Sequence, residues 1–104
     1  MSQEWLCIIP DKPDSLRQRQ ETRPKHLQSI EKSIKGGILE FGGAILDGVD
    51  GNPTGSVVTV RATTKEDLVA FLTTDPYSEQ DVWDLSKAQF HPFKTAVRVA
   101  KELK

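Results

Sequence analysis

The chain has 104 residues, 37% of them hydrophobic and 28% charged, which is the composition of one globular domain with a single core. This length excludes a dinucleotide-binding domain joined to a separate substrate domain. Fourteen basic and fifteen acidic residues give a formal charge of −1, so no overall positive field attracts nucleic acid or anionic lipid.

Cysteine usage and the first residues of the chain predict the compartment. Cys7 is the single cysteine, so no intrachain disulfide can form. The opening MSQEW lacks the basic and apolar regions of a secretory signal, and no apolar run approaches the roughly 20 residues of a membrane-spanning helix. We therefore expect a cytoplasmic protein that has neither a membrane nor a nucleic acid as a partner.

The first third of the chain predicts a strand followed by a helix. Residues 5–9 are apolar at every position, which is typical of a central strand that is covered on both faces. Asp14 or Ser15 then caps the helix. Pro24 suits the first turn of a second helical stretch, so we expect the helix to be broken or kinked at this proline.

A glycine-containing second strand and a β-branched third strand follow. Residues 36–37 are both glycine and end the helix. Residues 38–46 predict a second strand that is interrupted by the glycine pair at 42–43, where we expect a bulge or a close approach by another group. The turn formers at 47–53 lead into the alternating residues 56–61, so the second and third strands form a hairpin.

The last third of the chain predicts a helix and a weaker strand. Thr64 is a suitable cap for a helix with an apolar stripe, and the Asp-Pro pair at 75–76 ends this helix. Residues 83–90 predict a fourth strand, which is closed by Pro92. Residues 95–104 form either a short amphipathic helix or a frayed tail.

The order of these elements predicts an α+β fold of the ferredoxin-like βαββαβ class. The antiparallel sheet and its helices occupy a domain of residues 1–94, and residues 95–104 are the C-terminal tail. Two helices cover only one face of such a sheet, yet residues 5–9 have no polar position to face water. We therefore expect a homodimer, in which the sheet of a second copy covers the other face.

Two side chains are candidates for acid–base chemistry, and each also has a plainer interpretation. His26 lies beside an apolar stripe of the predicted helix that is formed by Leu27, Ile30 and Ile34. It is either a surface histidine on a basic helix or a general acid or base, because histidine titrates near neutral pH. Asp75 is either the cap of a local turn or a buried carboxylate, which needs a partner such as a histidine.

Ser56 is a third candidate, which either begins the third strand or presents its hydroxyl to a ligand. Other kinds of site lack their characteristic spacing. His26 and His91 are far apart in the chain, and no phosphate-binding glycine loop or nucleophile elbow occurs. The sequence therefore predicts no metal and no cofactor, and it leaves general acid–base catalysis as the chemical mode.

Six short segments, taken in order from about residue 5 to residue 94, resemble the YciI or YCII-related family. They are DKPDSL at 11–16, RPKHL at 23–27, GGA at 42–44, TGS at 54–56, TDPY at 74–77 and HPF at 91–93. The resemblance implies a dimeric α+β barrel, in which two ferredoxin-like sheets pack face to face. The chain departs from the bacterial pattern in the loop between Asp47 and Gly55, at His91 and in the tail.

The resemblance also implies a functional pair of His26 and Asp75, with Ser56 close by. We expect the two side chains to lie within hydrogen-bond reach of each other, at the mouth of a pocket beside the sheet. We expect His26 to remove a proton beside a carbonyl or on a phenolic ring. Ser56 or a nearby backbone amide stabilises the resulting oxyanion, and Arg19 or Arg23 holds a substrate anion.

These expectations describe a small homodimeric, cofactor-free enzyme with a small-molecule substrate. The predicted reaction is elimination, dehydration or isomerisation of a small oxygenated or aromatic metabolite, since one characterised relative in the family eliminates chloride from a chlorinated hydroxyquinol. The alternative is a non-catalytic ligand-binding or accessory protein that uses the same pocket without turnover.

Overall fold

Four antiparallel strands carry the helices of this protein on one face. The computed structural model describes residues 2–103. The strands are β1 (Gln3–Pro10), β2 (Leu39–Leu46), β3 (Pro53–Ala62) and β4 (Gln89–Pro92), and the helices are α1 (Leu16–Lys35), α2 (Lys65–Thr73) and α3 (Pro76–Glu79). The sheet order is β2-β3-β1-β4, and each neighbouring pair is antiparallel. The predicted ferredoxin-like α+β fold is therefore confirmed.

β1 lies at the centre of the sheet, as its apolar sequence predicts. It pairs with β3 on one side and with β4 on the other. Cys7 and Ile9 are fully buried in the core beneath the helices. Leu6 and Ile8 point to the opposite face and are half-buried. The unbroken apolar run thus supplies side chains to both faces of the sheet.

α1 is one continuous helix, so the predicted break at Pro24 does not occur. Proline removes one backbone hydrogen bond from a helix interior and crowds the preceding turn. However, side chains on both sides of the proline are buried, with Thr22 before it and His26 after it. Packing of this face on the sheet therefore holds both halves in one helix. None of the helices in residues 2–103 has the length and apolarity that a bilayer-spanning segment requires.

A polar residue precedes each helix, but only some of these residues cap the helix with their side chains. Ser15 precedes α1, although its hydroxyl donates to the carbonyl of Lys12 and does not cap the helix. Thr64 caps α2 as predicted, because its hydroxyl accepts from the backbone N–H of Asp67. α2 ends before Asp75, which caps the short further helix α3. The Asp75 side chain is thereby held at a defined place in the fold.

β2 continues through the glycine pair, so the predicted interruption there is wrong. Residues 42–43 pair with residues 57–58 of β3 without a register shift. The shifts lie instead at residues 39–41 and 45–46. Glycine keeps its backbone N–H and C=O groups, so the hydrogen-bond ladder runs through the pair.

β4 begins at Gln89, later than the sequence predicts. The carboxylate of Asp84 accepts from the backbone N–H and the hydroxyl of Ser86, which starts a 3₁₀ turn where the strand is expected. Trp83 forms an isolated bridge outside the named strands. The first part of the predicted strand over 83–90 is therefore wrong, because a capping aspartate turns the chain there.

Residues 93–103 have no regular secondary structure. Two residues of this segment form hydrogen bonds to strands of the sheet. Thr95 donates to both carboxylate oxygens of Glu4 on β1, through its backbone N–H and through its hydroxyl. Arg98 donates to the backbone carbonyl of Glu40 on β2. Burial alone raises the pKa of Glu4, but the hydrogen bonds from Thr95 and nearby arginine charges outweigh it and hold the pKa below its usual value.

The face of the sheet opposite the helices carries apolar side chains, and we call it the open face. Phe41 and Ile45 of β2 are 50% and 36% exposed on it. Leu6, Ile8 and Val57 share this face in the cross-strand register and are half-buried. This is the face for which the sequence predicts cover by a second copy.

Cys7 gives the fold a pH dependence in alkaline solution. Burial raises the pKa of its thiol from 9.0 to about 12. The unfolded chain therefore loses this proton first as the pH rises, and the free energy of unfolding falls by about 1.4 kcal/mol per pH unit between the two pKa values. Denaturant titrations from about pH 9 to about pH 11 should show a decline that is steeper by this amount in the wild type than in Cys7→Ala. Equal slopes in the two proteins would contradict the assignment.

Candidate active site

His26 and Asp75 lie in hydrogen-bond contact between α1 and the start of α3. Nδ1 of His26 is 2.7 Å from Oδ1 of Asp75, and the two side chains are 11% and 9% exposed. The same carboxylate oxygen accepts the backbone N–H of Tyr77 at 2.8 Å and so caps α3. The sequence offers two interpretations of Asp75, a local cap and the buried partner of a histidine. Both apply, because the same carboxylate makes both contacts.

α1 turns a largely polar face towards the core. Its buried residues recur every three or four positions and are Arg19, Thr22, His26, Ile30 and Ser33. The predicted apolar stripe is displaced from this face, since Leu27 is half-buried and Ile34 is 44% exposed. His26 consequently lies within the buried face of the helix and not beside it.

Two aromatic rings pack against the imidazole of His26. Tyr77 stacks on it with ring centroids 3.8 Å apart and an interplanar angle of 16°. Trp83 meets both of these rings edge-on at 5.6 Å. The guanidinium of Arg19 lies 4.7 Å from the centre of the Tyr77 ring. Burial raises the pKa of the Tyr77 hydroxyl, although nearby arginine charges oppose this shift.

Ser56 and Arg19 form a second buried group beside the first. The Oγ atom of Ser56 accepts from Nη2 of Arg19 at 3.0 Å and from Nε1 of Trp83 at 3.1 Å. Nη1 of Arg19 donates to both carboxylate oxygens of Asp11, at 2.8 and 2.9 Å. Burial raises the pKa of the Asp11 carboxyl, and the charge of Arg19 opposes that shift. The charge of Arg19 is therefore matched within the protein.

We refer to the side chains joined by these contacts as the site cluster. They are His26, Asp75, Ser56, Arg19, Asp11, Tyr77 and Trp83. The first four of them are site residues that the sequence predicts. The fifth predicted site residue, Arg23, lies on the exposed side of α1, and its charge acts on the Tyr77 hydroxyl.

Sequence reasoning missed three members of the cluster. Asp11 and Tyr77 belong to the segments that carry the family resemblance, DKPDSL and TDPY, and this was the signal that could have identified them. Trp83 gave no such signal, because a tryptophan in a predicted strand is typical of a core position. The indole N–H of Trp83 indicates a site residue only once the structure shows that it donates to the Ser56 hydroxyl.

A cavity of about 460 Å³ reaches the site cluster at Trp83. Its other lining residues are Lys12, Thr73, Ser78, Asp84, Leu85 and Ser86. His26 and Asp75 do not line it, so the pair does not stand at the mouth of this cavity. Within residues 2–103, no three His, Cys, Asp or Glu side chains gather in a way that could hold a metal ion.

The chain is similar to several biosynthetic proteins. It is 36% identical over 101 residues to aspercryptin biosynthesis cluster protein B of Emericella nidulans, and the match covers 91% of this chain and 65% of that protein. It is 32% identical to fusaric acid biosynthesis protein 2 of Gibberella fujikuroi, over 88% of this chain and 93% of that protein. Aspartate kinase FUB3 of Fusarium oxysporum is 33% identical over 89% of this chain, which spans only 18% of the kinase.

A solved structure has the same fold as this chain. It is 5-chloro-2-hydroxyhydroquinone dehydrochlorinase from Burkholderia phenoliruptrix AC1100 in complex with 2,5-dihydroxybenzoquinone. The TM-score is 0.75 and the sequence identity 22%, over 88% of this chain and 93% of that one. This likeness supports the α+β fold of the chain. The YCII-related domain matches residues 3–87, and the chain therefore belongs to the YCII-related family.

Proposed function

We propose that this protein is a small homodimeric, cofactor-free enzyme that catalyses proton transfer on a small oxygenated or aromatic metabolite. The observation that carries the proposal is the buried 2.7 Å contact between Nδ1 of His26 and Oδ1 of Asp75. The structural neighbour is named a dehydrochlorinase and two relatives are named biosynthesis proteins, which supports small-molecule catalysis in secondary metabolism. The reaction class is elimination, dehydration or isomerisation.

The contact with Asp75 decides which nitrogen of His26 acts as the base. An ionised carboxylate only accepts hydrogen bonds, so Nδ1 carries the proton between the two groups. Nε2 is then the ring nitrogen that presents a lone pair. We therefore assign proton removal to Nε2.

Proton removal converts His26 to an imidazolium, which the carboxylate of Asp75 stabilises. In an elimination, the electron pair of the broken C–H bond forms the new double bond while the leaving group departs with its own pair, and the imidazolium then releases its proton to water. In a dehydration, the imidazolium returns its proton to the departing hydroxyl group, which leaves as water. In an isomerisation, it returns the proton to a different atom of the substrate. One base that is restored in each cycle serves all three reactions.

The two candidate arginines take different roles in this proposal. Arg19 is buried and bonded to Asp11 and Ser56, so we assign it to positioning the serine hydroxyl. Arg23 lies on the exposed side of α1 and its charge reaches Tyr77, so we assign to it the contact with a substrate anion. Ser56 donates to the oxygen on which negative charge develops.

A second copy of the chain covers the open face in this proposal. Phe41 is half exposed there, and the buried hydroxyl of Thr59, on the same face, has no hydrogen-bond partner within residues 2–103. A two-fold interface on this face would bury about 1,200–2,000 Å², the usual range for specific interfaces.

Phe41→Glu should convert the dimer to a monomer in light scattering, because the two-fold interface would bury two unpaired carboxylates. Val49→Glu is the matched control, since Val49 is 99% exposed outside the sheet, and it should leave the dimer intact. A monomeric wild-type particle across micromolar concentrations would overturn the dimer.

The ¹⁵N signals of the His26 ring test the assigned tautomer. In the wild-type protein, at a pH at which the imidazole is uncharged, Nδ1 should carry the proton and Nε2 should be unprotonated. Asp75→Ala should remove this preference, because Nδ1 loses its hydrogen-bond acceptor. Asp84→Ala is the matched control, because Asp84 also caps a short helix but lies outside the site cluster. A neutral wild-type ring that carries its proton on Nε2 would contradict the mechanism.

Turnover tests the proposed function itself. Wild-type protein is incubated in D₂O with 5-chloro-2-hydroxyhydroquinone and with a metabolite extract from its own source, and mass spectrometry follows chloride loss, water loss and deuterium uptake. His26→Ala should lower the rate by about 10²–10⁴-fold, the usual contribution of a well-placed general base. Lys35→Ala is the control, because Lys35 is exposed in the last turn of α1 and lies outside the site cluster.

Turnover that is undiminished in His26→Ala, or that requires an added metal or nicotinamide, would show that the proposed chemistry is wrong. Binding of a metabolite without turnover by the wild type would instead support the ligand-binding alternative.

A further inference from the structure

The hydroxyl of Ser56 has an unusual set of partners. Ser56 is 3% exposed on β3, and both hydrogen bonds of its side chain have Oγ as the acceptor. One comes from Nη2 of Arg19 and the other from Nε1 of Trp83. A hydroxyl has two lone pairs and one proton, so the proton is the hydrogen-bonding capacity that remains.

Neither partner of Ser56 can reverse its bond. A guanidinium and an indole N–H are donors and have no acceptor atom, so the hydroxyl cannot rotate to donate to either of them. Arg19 is itself held by both carboxylate oxygens of Asp11. The direction of the Ser56 hydroxyl is therefore set from two sides by buried groups.

Trp83 also connects this hydroxyl to the proposed base. Its ring lies edge-on to the imidazole of His26 at 5.6 Å, while its Nε1 atom is 3.1 Å from Ser56 Oγ. The same residue thus contacts the base and directs the donor. A displacement of the indole would alter both groups together.

We infer that Trp83 is a positioning residue that, together with Arg19, makes Ser56 a hydrogen-bond donor only, so that the site selects substrates with a carbonyl or phenolic oxygen at this position. The inference rests on the proposed proton transfer to His26. As Nε2 takes a proton from a C–H or O–H bond, the electron pair of that bond moves towards the substrate oxygen, which becomes an enolate or phenolate. The Ser56 proton then bonds to this oxygen, while a substrate N–H group at the same place would face another proton and be rejected.

Two probes of similar shape test the direction of the hydroxyl. 4-Nitrophenol, at a pH at which it is ionised, offers an acceptor, whereas 4-nitroaniline offers N–H donors. The wild type should bind the phenolate more tightly than the aniline, as measured by calorimetric titration of each probe at the same pH. Ser56→Ala should reduce this preference by about 10–100-fold and Trp83→Phe by about 3–10-fold, because a hydrogen bond to a charged group is stronger than one between neutral groups.

Trp5→Phe is the matched control for Trp83→Phe. The Nε1 atom of Trp5 also donates one 3.1 Å hydrogen bond, but to the backbone carbonyl of Ala62 outside the site cluster. This variant should keep the full preference for the phenolate. Ser56→Ala on its own keeps both tryptophans. It should move the indole N–H resonance of Trp83 upfield and leave that of Trp5 unchanged, and this measurement does not require Trp83→Phe to fold.

Four results would overturn the inference. They are a wild type that binds neither probe, a wild type that binds both equally, a preference that survives Trp83→Phe, and a Trp83 resonance that is unmoved by Ser56→Ala. If one of these four results is found and His26→Ala loses turnover, the inference about Trp83 is wrong and the proposed function is retained. Full turnover in His26→Ala with the expected probe preferences removes the proton transfer and leaves only the binding selectivity.

Discussion

Burial of ionisable side chains on one helix face is the constraint on which this structure depends. α1 places Arg19 and His26 on its core-facing side, about two turns apart. Such groups are costly to bury unless a carboxylate meets them. Asp11, after β1, meets Arg19, and Asp75, at the start of α3, meets His26. The site cluster is therefore also the means by which α1 packs a polar face against the sheet.

The groups that we propose for chemistry stand on regular elements. His26 is on a long helix, Ser56 is on β3, and the Asp75 carboxylate is fixed by its cap of α3. Side chains held in this way keep their geometry without help from a ligand. The departures from the bacterial family pattern that the sequence indicates lie elsewhere, in the loop before β3, at His91 on β4 and in the tail. This division suits a family in which one acid–base pair serves different substrates.

Apolar patterning predicted the sheet well and the helix face poorly. The uninterrupted apolar run at residues 5–9 identified the central strand, because no polar residue competes with that pattern. In α1, apolar spacing predicted that Leu27 and Ile34 mark the buried side of the helix, whereas Arg19 is buried there. The spacing could not show this, because the burial of Arg19 depends on a carboxylate from another segment, that of Asp11. The pair of His26 and Asp75 came from the family resemblance, because the residues alone also fitted a surface histidine and a local cap.

The pairing of β1 has a consequence for the order of folding. Trp5 pairs with Val60 on one side and with Pro92 on the other, so the first strand to be synthesised is the last to be completed. During translation, one edge of this apolar strand has no partner until β4 has emerged. Both pairings close long loops, and their entropic cost must be met before the sheet gains from them. We therefore expect the domain to fold as a unit once β4 is available, and more slowly than a helical protein of its length.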